Sequence, residues 1–248
     1  MVVFDFCKAC GLSIRSAWSA DISKTAHAFQ QQNDSDADHS FLEVRAATQG
    51  VGFRRRHRKE CDIRKGPKID LFECGFPCKP FSTQSMARFS EKGWRKHPEA
   101  KGFFQTIGYF KQRRPRLGVL ENVIGFQMQC KHSESPALVL QHELDEVQVE
   151  CAILNMDHKI WVDMSRERSI CLTADQESGG KKTIRLACSL IALVEGIIKS
   201  AAPTPWCDLV LRPSEPAFVS GLADLEAIMW YPILYLFVGI GPVYYRLI

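Results

Sequence analysis

Short apolar runs alternate with stretches of helical spacing along the middle of the chain, the pattern of strands feeding helices in a parallel-sheet α/β domain. Residues 14–19 read as the first strand of that series. Ser23 then stands where an N-cap belongs, ahead of a helix over 23–30, and the polar stretch 33–40 reads as a turn. Lys68-Ile69-Asp70-Leu71-Phe72 has the composition of a buried strand closing at Glu73-Cys74-Gly75. Phe103, Phe104, Ile107 and Phe110 recur at helical spacing, which predicts a helix from Gly102 that Pro115 stops. Leu117-Gly118-Val119-Leu120 is the next strand, with Glu121-Asn122-Val123 at its carboxyl end. Beyond it, 137–148 reads as a helix and 149–154 and 169–173 as strands. Gly179-Gly180-Lys181-Lys182 has the texture of a linker, ahead of an amphipathic helix over 184–198.

Between Gly75 and the helix at Gly102 runs a loop over 76–101 containing Pro77, Pro80, Gly93 and Pro98. A loop that long inside a compact domain usually carries function. In open α/β sheets the site lies at the carboxyl ends of strands. Cys78 and Glu121 each follow such an end, so position alone nominates both.

The chain changes character after residue 174. Pro203, Pro205, Pro213 and Pro216 break it up, and residues 228–245 contain no charged side chain. That run is long enough to resemble a membrane span. Pro232 and Pro242 interrupt it, Gly239 and Gly241 weaken it, and no basic cluster flanks it, so it reads as an apolar tail rather than a membrane segment.

Composition adds bounds. The 248 residues are 46% hydrophobic and 24% charged with a net charge of +4, which suits one globular α/β domain with a small appendage. The charge is too mild to demand a polyanionic partner, but residues 52–59 and 111–116 are dense basic runs of the kind that grip phosphates or sit as solvated loops. No secretion signal opens the chain, so its ten cysteines are expected as free thiols. Cys7 and Cys10 form a C-x-x-C pair without a second pair at zinc-finger spacing, and no metal site is expected.

The stretch Asp70-Leu71-Phe72-Glu73-Cys74-Gly75-Phe76-Pro77-Cys78-Lys79-Pro80-Phe81-Ser82 closely resembles the nucleophile motif of DNA cytosine-C5 methyltransferases. Leu120-Glu121-Asn122-Val123 resembles the Glu-Asn-Val motif of the same family. The two stand in order, each after an apolar strand, with a phenylalanine-rich helix between them. Chemistry explains the pairing. C5 of cytosine is too weak a nucleophile to take a methyl group from a sulfonium. A thiolate adding at C6 turns the ring into an enamine whose C5 can attack, and cysteine is the side chain best able to add and later leave. A carboxyl group of raised pKa can supply the proton that N3 needs, which is the role the resemblance gives Glu121.

The resemblance covers roughly residues 14–173. Trp18-Ser19-Ala20-Asp21-Ile22 resembles the family's second cofactor motif, implying that Asp21 binds ribose hydroxyls and Ile22 packs on adenine. Cys61-Asp62-Ile63 resembles the motif whose Asp-Ile pair contacts the adenine, and Pro77 joins these residues on the cofactor side. Ser165-Arg166-Glu167-Arg168 resembles the Gln-x-Arg-x-Arg segment, with Met164 or Asp163 at the glutamine position. Arg166 and Arg168 share a strand face, from which one reaches the thiol or the cytosine O2. Ser82 and Asn122 are implied on the substrate side. The implied fold is a Rossmann-like S-adenosylmethionine-dependent methyltransferase with a mostly parallel, incomplete sheet. The implied partner is DNA, with the target base flipped out of the duplex; RNA is the alternative, disfavoured because no Cys-Phe-Thr element is present. Nuclear placement is expected in a eukaryote and cytoplasmic placement otherwise.

Two departures limit the resemblance. The family's Gly-x-Gly loop corresponds to Phe4-Asp5-Phe6-Cys7-Lys8-Ala9-Cys10-Gly11, where Cys7 and Ala9 stand at glycine positions. A side chain there obstructs close approach of a cofactor to the backbone. Only 75 residues follow Thr173, without a late closing motif or a full target-recognition region. The expected organisation is a catalytic core over 1–175 and a divergent segment over 176–248. Two classes of function follow: a cytosine methyltransferase, with a protein partner supplying target recognition, or an inactive relative that binds nucleic acid.

Overall fold

The computed structural model describes residues 14–23, 25, 39–49, 51–54, 59–62, 68–86, 89–90, 93–157, 167–200 and 243–247. The helix expected over 23–30, the glycine-position residues Cys7 and Ala9, and the site residues Ile63 and Arg166 lie outside these segments, apart from Ser23 and Thr25.

Strand β1 (Ile14–Ala20) leads to the two-residue strand β2 (Ser40–Phe41) and the short helix α1 (Val44–Gln49). A separate hairpin follows, with β3 (Val51–Arg54) antiparallel to β4 (Lys59–Asp62). Then come β5 (Leu71–Gly75), α2 (Lys101–Arg113), β6 (Leu117–Val123), α3 (Pro136–Asp145), β7 (Val149–Asp157), β8 (Glu167–Asp175), α4 (Gly180–Ser200) and β9 (Val243–Leu247). The expected β/α alternation is present. Helix α2 ends as Pro115 requires, its last turn closed by Arg114 in the left-handed region at φ 41. Ser135 caps α3 by accepting from Leu138 N, with Pro136 in the first turn, a favoured start.

Seven strands form one sheet in the order β2-β1-β9-β5-β6-β8-β7. β1–β2 and β5–β6 pair in parallel, whereas β8 runs antiparallel to both β6 and β7. β9 runs antiparallel to β1 and β5 and bridges them. Five of the seven strands therefore point one way, in an α/β sheet of mixed pairing. One expectation changes. Gly180-Lys181-Lys182 is not a linker but the first turn of α4, which Gly179 at φ 100 allows the chain to enter directly. The end of the apolar tail forms a sheet strand, and among the described residues no helix is long and apolar enough to cross a membrane.

The core lies on both faces of the sheet. On one, Trp18, Phe72, Tyr109 and Phe110 stack between β1, β5 and α2, with the Trp18 indole donating to the Tyr109 hydroxyl at 3.2 Å. Burial pushes the Tyr109 phenol up to about 12. On the other, Ile184, Ala187, Cys188 and Ile191 of α4 cover Met156, Ile170 and Leu172. At the amino end of the sheet, Asp175 is fully buried and held by Lys68 and by Arg114 at 2.7 Å. Burial raises its carboxyl, but the hydrogen bonds from Lys68 and Arg114 outweigh that and hold it below its usual range.

Candidate active site

The carboxyl ends of β1, β2, β5 and β6 open at one edge of the sheet and carry the candidate residues. Register sets their spacing: Gly75 on β5 lies opposite Glu121 on β6, so the chain leaves β5 for Cys78 beside the Glu121 side chain. A Cβ on Gly75 would approach Glu121 Oε2 to 3.5 Å, so the carboxylate lies directly over that glycine.

The loop carrying Cys78 is fixed on both sides of the cysteine. Upstream, the buried Asn122 amide donates to the Phe76 carbonyl at 3.0 Å, while its oxygen accepts from Val123 N at 2.9 Å. Downstream, Phe81 N and Ser82 N both donate to the Cys78 carbonyl at 2.9 Å, which curls the chain into a tight turn. The Phe81 ring is fully buried among Phe76, Trp94, Phe103 and Phe126. Gly125 packs directly against the Phe81 carbonyl, a close approach that only glycine allows. Cys78 itself is exposed at the top of this buttressed turn, and Ser82 is half-buried on its downstream side. The long loop is therefore anchored by five aromatic rings.

Arg168, at the start of β8, lies opposite Val123 and so shares a sheet face with Glu121. Its Nε stands 2.7 Å from Glu121 Oε1, and the guanidinium is almost fully buried. The contact is an ion pair rather than an aligned hydrogen bond, since Arg168 Nε makes none among the described residues. Glu73 lies on the same face of β5, and burial pushes its carboxyl up to about 7.

Beside the loop lies a cavity of about 560 Å³, a volume that suits a nucleoside-sized ligand. Ala20, Asp21 and Ile22 form one wall, Leu42, Glu43 and Val44 a second, and Cys74 through Pro77 a third. The α2 end supplies Pro98, Glu99, Lys101, Gly102 and Gln105. Asp21 accepts from Ser23 N at 2.7 Å, which fixes its carboxylate at the strand end. Ile22 and Leu42 stand exposed at 77% and 49%, which leaves two aliphatic side chains open on the cavity wall. Glu43 accepts from Lys101 at 2.9 Å and from Gln105 at 3.1 Å; chiefly through the Lys101 bond its carboxyl is held below its ordinary value.

The structure thus gathers Asp21, Ile22 and Pro77 around the cavity and Cys78, Ser82, Glu121, Asn122 and Arg168 around the loop. Asp62 is placed elsewhere: it ends β4 on the separate hairpin and is absent from the cavity walls. The neighbouring strand end is that of β2, which supplies Leu42 and Glu43 to the wall beside Asp21 and Ile22. Strand β2 is two residues long, too short to leave a periodic signal. Glu99 and Gln105 also went unread, because nothing local distinguishes them from ordinary helix-surface residues. Among the described residues no cluster of His, Cys, Asp and Glu could hold a metal ion.

The family model for C-5 cytosine-specific DNA methylases matches residues 6–194 of the chain. The chain belongs to that family. This methylase domain is also similar to solved structures of an Entamoeba histolytica methyltransferase, EhMeth (13% identity, TM-score 0.41, 63% of this chain and 43% of that one) and Spodoptera frugiperda DNMT2 (17%, 0.44, 68% and 45%). Schizosaccharomyces pombe Dnmt2 is a third (15%, 0.43, 64% and 41%). The methylase domain spans less than half the length of each. No curated protein matches it by sequence.

Proposed function

We propose that this methylase domain transfers a methyl group from S-adenosylmethionine to C5 of cytosine in DNA through a covalent bond between Cys78 and C6. The observation that carries the reading is the buttressed turn that leads Cys78 out of β5 where Gly75 lies opposite Glu121, the partner of Arg168, next to a nucleoside-sized cavity. A nucleophile held from both sides by buried groups is pre-positioned rather than merely exposed.

The cavity fits the nucleoside part of the donor. Asp21 is placed to accept from a ribose diol, and Ile22, Leu42 and Pro77 offer apolar faces to a purine. Glu43, already ionised and aimed by Lys101 and Gln105, is placed to accept from an exocyclic amine. S-adenosylmethionine, when bound, supplies an electrophilic methyl group. The Cys78 sulfur forms a bond to C6 of the flipped cytosine and the ring electrons move toward N3, where Glu121 shares the proton. Arg168 is the ion-pair partner of the Glu121 carboxylate. C5 then carries the nucleophilic electron pair; after methylation a base takes the C5 proton, and the C6–sulfur bond breaks to return the thiolate.

Transfer of a labelled methyl group to cytosine-containing duplex DNA by the purified chain, absent in Cys78→Ala, is the expected result. Labelling of transfer RNA instead of DNA would move the substrate to RNA. Binding of nucleic acid with no transfer to either would make the chain a non-catalytic member of its family.

A further inference from the structure

Two carboxylates on the cavity wall are already engaged by lysines, and the lysines differ in where they stand. Lys101, the partner of Glu43, is the first residue of α2 and comes from a different element than the nucleophile loop. Lys79, the partner of Glu99, immediately follows Cys78. Its Nζ lies 2.8 Å from Glu99 Oε1, which tethers the nucleophile's neighbour across to the cavity wall.

The two ends of this tether are unequally fixed. Glu99 sits in a single 3-10 turn over Pro98–Ala100, whose first N–H is capped by His97 Nδ1 accepting from Glu99 N at 3.1 Å. Lys79 is a flexible, 75% exposed side chain. The Glu99 hydrogen bond holds its ammonium protonated, and Lys79 is the chain neighbour of Cys78, so the same flexible side chain serves either Glu99 or the nucleophile. An exposed ion pair of this kind is weak and readily exchanged.

We propose that Lys79 is a positioning residue that stabilises the Cys78 thiolate, and that Glu99 restrains it until a cationic ligand in the cavity engages Glu99 instead. Charge complementarity names the ligand class: a nucleoside bearing a sulfonium, which presents a positive charge to a wall otherwise closed by its own lysine. This deepens the methyl-transfer reading by coupling donor occupancy to nucleophile reactivity, so that the thiol is most reactive when the donor is in place.

The test is the rate at which iodoacetamide alkylates Cys78 in the full chain at neutral pH, followed by mass spectrometry. Glu99→Gln should raise the ligand-free rate about three- to tenfold by releasing Lys79. Lys79→Met should cancel that rise and Lys79→Arg should retain it, so that Glu99→Gln has no effect in the Lys79→Met background. S-adenosylmethionine should accelerate the native chain but not Glu99→Gln, and S-adenosylhomocysteine, which lacks the sulfonium, should not accelerate either. An unchanged rate in Glu99→Gln, or an equal rise with and without Lys79, overturns the coupling. Equal effects of the two nucleosides overturn release by the sulfonium charge. Calorimetry on the same samples separates these results from failure of the cofactor reading: if neither nucleoside binds, the cofactor reading fails, while the Glu99/Lys79 pair of variants still decides the tether.

Discussion

Gly125→Ala probes how the aromatic buttress positions the nucleophile. A Cβ at Gly125 would lie 2.1 Å from the Phe81 carbonyl oxygen and 3.1 Å from Thr83 N, where ordinary contact begins at 3.4 Å. The obstructing atoms are backbone, so no side-chain rotation relieves the clash. The Phe81 ring is fully buried against four other rings and resists displacement. The Phe81 segment must therefore recede by more than 1 Å. Overpacking of this kind costs about 1–3 kcal/mol, a fall of roughly 2–12 °C in melting temperature for a domain of this size. The functional cost is larger, because Phe81 N and Ser82 N both bond the Cys78 carbonyl and carry the shift to the nucleophile. A misplacement near 1 Å lowers reactivity about 100-fold. Single-turnover trapping on 5-fluorocytosine DNA measures the second effect and thermal unfolding the first. A variant that melts normally, or one that melts lower but traps at the native rate, would refute the claim that this contact positions Cys78.

Asn122→Ala removes the donor to Phe76 O and leaves that carbonyl unpartnered, so the chain should lose about 1–3 kcal/mol in denaturant titration. Asp21→Ala and Glu43→Ala should each weaken S-adenosylmethionine binding about tenfold or more by calorimetry, and Asp62→Ala should leave it unchanged; equal losses for Asp62 would place the hairpin at the site. Asp175 has a folded-state pKa below its unfolded value of about 3.9, so it stabilises the fold above that pH and the contribution disappears as pH falls through the folded pKa. Asp175→Asn should accordingly lower stability at neutral pH and flatten its decline in acid, as read from urea midpoints between about pH 2 and 7. An acid limb identical to that of the native chain would remove Asp175 as its cause.

The parts of the site that were legible in sequence are those whose chemistry is local. A strand closing at Gly75 before Phe76-Pro77-Cys78, and a second closing at Glu121-Asn122, carry the apolar run and the reactive residue on the same few positions. The cavity was only half legible. Asp21 and Ile22 follow a seven-residue strand, but Glu43 follows a two-residue strand, and Glu99 and Gln105 come from a turn and a helix that meet it only in three dimensions. β8 shows why polarity misleads: Ser169, Thr173 and Asp175 are all buried, because that strand is covered on both faces and its alternation is lost. β9 lies some forty residues beyond α4, and its antiparallel insertion between β1 and β5 is a non-local pairing that no windowed pattern contains. The linker reading at Gly180 failed because the glycine pair that suggests a break also permits the sharp entry into α4.

The central claim is that Cys78 attacks C6 of cytosine with Glu121 assisting at N3. Its most direct measurement is the denaturation-resistant complex formed between the purified chain and 5-fluorocytosine duplex DNA in the presence of S-adenosylmethionine. A one-to-one adduct mapped to Cys78, lost in Cys78→Ala and slowed about 100-fold or more in Glu121→Gln, is the predicted result. An adduct that persists in Cys78→Ala would contradict it.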